Sequence, residues 1–514
     1  MKRTKLLAFI LIVALLATSL FTLVGCDEFD FGGNKLSPTC NHVDSDDNGK
    51  CDNCKGNVIV NLDFYAINDI HGTFAKSDSN NGVGGLTTYL LNAQKTENAI
   101  VLSSGDTWQG STESNNTKGK LGTEWLNYIN CVSMTLGNHE FDWGTGAIRT
   151  NAQLANFPML AINVYEHATN QRASYCDASV IIEKNGAKIG IIGAIGDCYS
   201  SISASMCSDV YFKVGNELTA LVKAESDKLK AQGAKYIVLS LHDGQARSNS
   251  SIETVQVMGW YDDALSDGYI DLVFEGHTHS SYTIQDRHGV KHVQAGGYNK
   301  GISHADVNLN IANGNSDTSV DVVKYSVYST CKEDSIISTL TNKYRNEIGN
   351  PDEVLGYNST KRNSTALCNE MAKAYYNVGM EQWGDEYQIA LGGGFIKARS
   401  PYNLAVGDVT VRDLQALFPF DNTIMLCSVK GSDLLYKFFN TKNENYHVSY
   451  GSYGSSVKQK LENGQGLNDT YYIVVDSYTS DYAYNNLTVV KSLGPTIFPR
   501  DLLASHLLEN GWLK

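Results

Sequence analysis

The stretch NVIVNLDFYAINDIHGTF, residues 57–74, decides the fold. Its first half is an apolar, β-branched run of strand type. The run ends abruptly at Asp69, Ile70, His71 and Gly72. In an extended chain, residues two apart face the same side. Asp69 and His71 are therefore expected to present an oxygen and a nitrogen to one point. A metal site, a buried hydrogen-bonded pair and a plain turn are all compatible with that pair. The decision rests on whether other segments supply partners.

They do so in a regular way. From residue 58 to about 325, short apolar runs alternate with helical segments such as GGLTTYLLNAQKT and GNELTALVKAESDKLKAQG. This alternation predicts a layered α/β architecture. AIVLSSGD ends in Asp106, and VSMTLGNHEFD ends in Asn138 and His139 with Asp142 just after. YIVLSLHDG ends in His242, and IDLVFEGHTH in His277 and His279. Each residue alone has a bland explanation as a turn or a satisfied core histidine. Five strand ends carrying Asp, Asn or His together point to the carboxyl edge of an α/β sheet, where sites gather. Imidazole and carboxylate donors suit Zn, Mn or Fe. So many donors exceed one tetrahedral ion and suit two ions sharing a carboxylate, the usual arrangement for in-line displacement at phosphorus.

The chain has 514 residues, 42% hydrophobic and 19% charged, enough for two or more globular domains. Residues 1–26 read as an export signal, with Lys2, Arg3 and Lys5 ahead of a long apolar run. Leu23-Val24-Gly25-Cys26 resembles a bacterial lipobox, which makes Cys26 the expected lipid carrier and the protein an exported, membrane-anchored one facing outside the cytoplasm. An uncleaved anchor is the alternative. Losing three basic residues and no acid would take the net charge from −14 to −17. That charge argues against a nucleic-acid polymer as partner. It also makes local cations important at any phosphate site.

Residues 27–57 read as a polar tether containing CNHVDSDDNGKCDNC. Asp44, Asp46, Asn48 and Gly49 match the first half of a calcium loop, but its twelfth position is Lys55. Cys40, His42, Cys51 and Cys54 are able to form a small zinc knot. A flexible acidic tether is the third reading. The remaining seven of the 11 cysteines are scattered and do not form a disulfide framework.

The ordered blocks NDIHG, GDTWQGS, GNHEFDWG, LHDG and GHTH resemble the signature of the calcineurin-like metallophosphoesterases, and GNHEFDWG with a distinct C-terminal region is similar to the 5′-nucleotidase/UDP-sugar hydrolase/2′,3′-cyclic phosphodiesterase branch. The resemblance implies a four-layer metallophosphatase β-sandwich flanked by helices over 58–325, a linker helix over 326–350, and a C-terminal α/β substrate domain over 351–514. It implies that Asp69, His71 and His279 hold one divalent ion, that Asn138, His242 and His277 hold another, and that Asp106 bridges them. His139, oriented by Asp142, would contact the phosphoryl group. The implied reaction is hydrolysis of nucleoside 5′-monophosphates. Cyclic nucleotides or UDP-sugars are the enzymatic alternatives, and a retired scaffold acting as a binding lipoprotein is the other class.

The C-terminal match is looser. Where the family carries NGGGIR, this chain has LGGGFIKAR, with Leu391 and Ile396 at the asparagine and arginine places. Lys397 and Arg399 are the nearest cations. FPFDN, residues 418–422, matches a structural block. Tyr446 or Tyr450, and Tyr478, Tyr482 or Tyr484, are the candidate rings for stacking a base, with Tyr446 and Tyr478 preferred. NYHVSYGSYGSSVKQ reads as loop or edge strand. Oligomeric state is not legible.

Overall fold

The computed structural model describes residues 40–77, 80–244, 254–255, 262–399, 402–483, 487–494 and 497–514. The export signal, Cys26, the first part of the tether and Tyr484 lie outside the described residues. The chain divides into two compact units, Met1–Ile59 and Val60–Lys514.

Two sheets organise the first part of the larger unit. One has six strands in the order Ser316–Lys324, Gly301–Asn310, Ile59–Ile67, Ile100–Ser103, Met134–Thr135 and Met159–Leu160. The last four run parallel. The other has seven strands, with Ala187–Ile195, Tyr236–His242, Leu272–Glu275 and Lys291–Ala295 parallel at its centre. Leu62, Phe64 and Leu102 of the first sheet meet Ile189, Val238 and Phe274 of the second in one buried cluster. The opposite face of the strand Ile59–Ile67 carries Tyr65 and Ile67, which pack with Leu86, Leu90, Leu121 and Trp125 of covering helices. Leu218, Val222 and Leu229 of the helix Asn216–Ala231 cover the far side of the second sheet. The result is four layers, helix, sheet, sheet, helix. Both faces of the central strands are apolar because both are covered. Each buried side chain of Leu or Phe size contributes roughly 1.5–3 kcal/mol.

A third sheet of five strands, ordered Tyr446–Ser449, Ile389–Phe395, Thr470–Asp476, Ile424–Lys430 and Thr488–Ser492, forms the C-terminal part. The helix Ser364–Trp383 packs on it through Leu367, Met371 and Tyr375, beside Leu503 and Leu507 of the helix Pro499–Glu509. The Asn363 side chain caps the first of these, accepting from Ala366 N–H at 2.9 Å.

Three local expectations change. The single linker helix is three short ones, Tyr325–Tyr328, Ile336–Lys343 and Arg345–Ile348, the last two separated at Tyr344. Within NYHVSYGSYGSSVKQ, Tyr446–Ser449 is the expected edge strand, but Ser452–Glu462 is a helix and not loop. Val457 and Leu461 bury one helical turn apart in the C-terminal core. Gly454 permits that approach, since a Cβ there would sit 2.1 Å from the Ala390 carbonyl oxygen. Finally, Asp69 and His71 do not lie on extended chain. The strand stops at Ile67, and both residues adopt left-handed backbone, φ 50° and 49°.

Candidate metal centre

The seven donors expected from the strand ends meet in one place. Asp69, Asp106 and Asn138 follow the parallel strands Ile59–Ile67, Ile100–Ser103 and Met134–Thr135, while His242 ends Tyr236–His242 and His277 follows Leu272–Glu275. The segment after Ile67 continues to pair with the one after Ser103. Asp69 N–H donates to Gly105 O, and His71 N–H to Asp106 O, each at 3.0 Å. Five of the seven donors, Asp69, His71, Asp106, His277 and His279, have positive φ. Such backbone costs about 1–3 kcal/mol per residue and persists where surrounding structure over-determines it. Left-handed turns, not strand pleating, aim these side chains.

Asp69, His71 and His279 form one group. Their closest polar contacts are His71 Nε2 to His279 Nε2 at 2.9 Å and His279 Nε2 to Asp69 Oδ1 at 3.4 Å. Asn138, His242 and His277 form a second, with Asn138 Oδ1 3.3 Å from His242 Nε2 and 2.9 Å from His277 Nδ1. Asp106 lies between them. Its Oδ2 is 3.1 Å from His242 Nε2 and 3.8 Å from His71 Nε2. Asp69 and Asp106 are buried at 0% and 1% exposure, and among the described ion pairs neither meets a lysine or arginine.

The donor set fits divalent cations on its own geometry. His71 directs Nδ1 to the Gln109 carbonyl at 3.2 Å, and His242 directs Nδ1 to the Ser104 carbonyl at 2.7 Å. Each Nδ1–H donates outward, which directs Nε2 toward the carboxylates, the orientation of a metal-binding imidazole. Two glycines make room. A Cβ on Gly105, φ +93°, would lie 2.6 Å from His242 Nδ1, and one on Gly137 would lie 2.3 Å from Asp106 Oδ1.

His139 sits at the rim. Its Nδ1 donates to Asp142 Oδ2 at 2.8 Å, and its N–H donates to Asp106 Oδ1 at 2.9 Å. Burial opposes its positive charge, but the carboxylates of Asp142 and Asp106 outweigh it and hold its pKa above the usual histidine value. Phe420 stacks on the ring at 5.6 Å.

A pocket of about 310 Å³ opens from this centre, lined by Asp106, Asn138, His139, His277 and His279 on one side and by Phe395, Lys397, Arg399, Phe420 and Tyr478 on the other. Lys397, Arg399 and Tyr478, the residues expected to meet a nucleotide, thus share one cavity with the histidine–carboxylate group. Tyr446 does not line the pocket; it packs edge-on against Phe395, 5.8 Å between centroids, so the ring facing the cavity at that position is Phe395. Arg399 lies over Phe420 at 5.0 Å.

Four contributors were not read from the sequence. Phe395 and Phe420 belong to the pocket. Tyr298 stacks on His71 at 5.1 Å and meets His279 edge-on at 5.1 Å. Glu140, fully buried, accepts four main-chain N–H groups, from Gly137 at 2.7 Å, Asp106 at 2.9 Å, Thr107 at 3.0 Å and Trp108 at 3.4 Å. It ties the Asp106 and Asn138 loops together. Its place in GNHEFD was the available signal, overshadowed by the histidine beside it.

Residues 62–281 match the calcineurin-like phosphoesterase family, and residues 347–485 match the 5′-nucleotidase C-terminal domain. Protein UshA of Yersinia enterocolitica is 23% identical over 455 residues, covering 78% of this chain and 80% of that protein. The 5′-nucleotidase of Rattus norvegicus is 25% identical over 468 residues, covering 80% and 75%. Among solved structures, a putative 5′-nucleotidase from Staphylococcus aureus aligns with a TM-score of 0.65 at 19% identity, over 88% of this chain and 98% of the other. A 5′-nucleotidase precursor from Thermus thermophilus aligns at 0.63 and 16% identity, over 88% and 97%. Identities this low carry the fold.

Proposed function

This chain belongs to the calcineurin-like phosphoesterases with a 5′-nucleotidase C-terminal domain, a hydrolase of phosphoesters that uses divalent metal ions, and from that premise we propose that it cleaves nucleoside 5′-monophosphates to nucleoside and phosphate at a paired metal centre. One observation carries the reading. The same cavity is lined by the histidine–carboxylate centre and by aromatic and basic side chains of the C-terminal domain, so a phosphoryl group and the nucleoside attached to it have adjoining places.

In this reading Asp69, His71 and His279 would hold one Zn, Mn or Fe ion, Asn138, His242 and His277 would hold the second, and Asp106 would serve both. When bound, such ions supply positive charge for the phosphoryl oxygens and acidify a water. The chain's own groups do the rest. Asp106 would reduce repulsion between neighbouring dications. Asn138 contributes a neutral oxygen, which keeps the centre receptive to an anion. His139, with its Nδ1 proton held on Asp142 and one face against Phe420, presents Nε2 to the transferring group where negative charge develops. Arg399 adds a cation at the rim. Phe395 and Tyr478, whose ring centroids are 5.5 Å apart, offer apolar surface to a base.

We propose further that the reaction takes place outside the cytoplasm on a lipid anchor at Cys26, a reading supported by the basic start, the apolar run and Leu23-Val24-Gly25-Cys26; nutrient salvage is the role that the family resemblance suggests. Incorporation of labelled lipid into the native chain but not into Cys26→Ala tests the anchor.

One observation favours keeping cyclic and sugar nucleotides as the second reading. Leu391 is buried in the C-terminal core and Ile396 is buried as well, so the side chains at the asparagine and arginine places are apolar. A cleavage panel over monophosphates, 2′,3′-cyclic nucleotides and UDP-sugars, with products separated by chromatography as nucleoside, monophosphate and UMP, separates the readings. Preferred cleavage of monophosphates supports the first. Cleavage of cyclic or sugar nucleotides alone reassigns the substrate, and no cleavage by metal-loaded protein leaves only a binding role.

A further inference from the structure

The phosphoester chemistry makes no use of the segment 40–59, which gathers four soft donors. One ligand atom each from Cys40, His42, Cys51 and Cys54 lies within 4.8 Å of the other three. Cys40 Sγ is 3.7 Å from Cys51 Sγ, and Cys54 Sγ is 3.7 Å from His42 Nδ1. A disulfide holds its sulfurs about 2.05 Å apart, so these cysteines are free thiols. A tetrahedral zinc with Zn–S of about 2.3 Å and Zn–N of about 2.1 Å has a sulfur–sulfur edge of about 3.8 Å and a sulfur–nitrogen edge of about 3.6 Å. Both observed separations match those edges.

The backbone is shaped around this cluster. In the turn Cys51-Asp52-Asn53-Cys54, Cys54 N–H donates to Cys51 Sγ at 3.5 Å and Lys55 N–H donates to Cys51 O at 2.8 Å. Donation to sulfur favours a thiolate over a thiol. Upstream, both oxygens of Asp44 accept main-chain N–H groups, from Asn48 and Gly49, at 3.0 Å each, and Asp52 accepts from Ser45 N–H at 3.0 Å. These bonds fold residues 44–49 into a turn that returns Cys40 and His42 to the Cys51–Cys54 pair. Asp52 N–H to Val43 O, at 2.6 Å, completes the closure.

Packing alone does not explain so ordered a segment. Its only buried apolar side chains are Cys51 and Val58. A piece this short ordinarily needs a disulfide or a metal. Calcium is poorly served, since the twelfth loop position is Lys55. Three sulfurs and an imidazole select zinc among the common biological divalent cations. All four tetrahedral positions are filled by protein, the mark of a structural site and not a catalytic one.

We propose that Cys40, His42, Cys51 and Cys54 form a structural zinc site that folds the segment 40–59. It differs in chemistry from the histidine–carboxylate centre, and that difference makes it testable in the intact protein. The full chain, purified under reducing conditions and stripped of metal, is reloaded with cobalt(II). A thiolate-to-cobalt charge-transfer band in the near ultraviolet is expected. It should persist in Cys198→Ala, which removes a sulfur lying within 4.8 Å of ligand atoms of His242 and His277, and disappear in the double variant Cys51→Ser/Cys54→Ser. Cys54→His should restore cobalt binding with a weaker band. Elemental analysis should find one zinc fewer per chain in Cys54→Ser, while phosphoester hydrolysis stays within twofold of wild type, showing that the rest of the chain is folded. In the native protein, zinc should slow tryptic cleavage after Lys50 and Lys55 about tenfold or more. No charge-transfer band in the native chain would overturn the proposal. So would a band that survives in the double variant, or zinc-free protein two hydrogens lighter through a Cys40–Cys51 disulfide.

Discussion

Replacing Glu140 by glutamine tests how the metal-site loops are held, because it changes hydrogen bonding without opening a cavity. Glu140 Oε2 accepts from Gly137 and Asp106 N–H, and Oε1 accepts from Thr107 and Trp108 N–H. A glutamine in either flip sets an NH₂ group against one of these amide pairs, and two buried donors lose their acceptor. At about 1–3 kcal/mol for each orphaned buried group, the cost is roughly 2–6 kcal/mol, a large share of the 5–15 kcal/mol typical of a domain. Burial, aided by the negative charge of Asp106, pushes the Glu140 carboxyl up to about 7. The comparison therefore belongs near pH 8, where the carboxylate form prevails. Denaturant unfolding of metal-free wild type and Glu140→Gln should differ by at least about 2 kcal/mol. Metal-loaded turnover should fall about tenfold or more, because Asp106 is displaced from its place between the two groups. A difference below about 0.5 kcal/mol with unchanged turnover would refute the assigned role.

Three further outcomes follow from the same geometry. His139→Ala should lower kcat about 100-fold or more while bound metal is unchanged; turnover within twofold of wild type would remove His139 from the reaction. Exhaustive chelation should abolish hydrolysis and Mn or Zn should restore it, whereas full activity in chelated protein would contradict the metal reading. The third concerns His292, buried between Glu275 at 2.9 Å and Asp286 at 3.3 Å. Burial works against its charge, but the two carboxylates prevail and hold its pKa up to about 9. A folded pKa above the unfolded value of about 6.5 means the stabilisation is complete below that value and is lost as pH rises through 9, on the order of 3 kcal/mol in all. Denaturant midpoints of metal-free protein should fall across this window in wild type and stay flatter in His292→Gln, and parallel pH profiles would exclude the contribution.

The central strands were legible because both of their faces are apolar, so length and β-branching alone marked them, from Ile59–Ile67 to Leu272–Glu275. The seven donors were legible because each lies at the end of such a strand or within four residues after it. Why they converge was not. The argument from i, i+2 alternation gave the right pair, Asp69 and His71, for a reason the backbone does not use, since both residues are left-handed. Left-handed Asp and His cannot be told from extended ones by composition. The helix Ser452–Glu462 was hidden by its glycines and serines, which serve close packing there. Tyr298, Phe395 and Phe420 entered the site through contacts between segments hundreds of residues apart, and local pattern carries no record of those. Tyr446 illustrates the same limit, a plausible ring whose position behind Phe395 depends on pairing between Tyr446–Ser449 and Ile389–Phe395.

The most direct test of the paired-metal account is anomalous diffraction from crystals grown with manganese. Two peaks about 3.5–4 Å apart, one beside Asp69, His71 and His279, the other beside Asn138, His242 and His277, with Asp106 touching both, are the predicted result. One peak, or none within reach of Asp106, would contradict it.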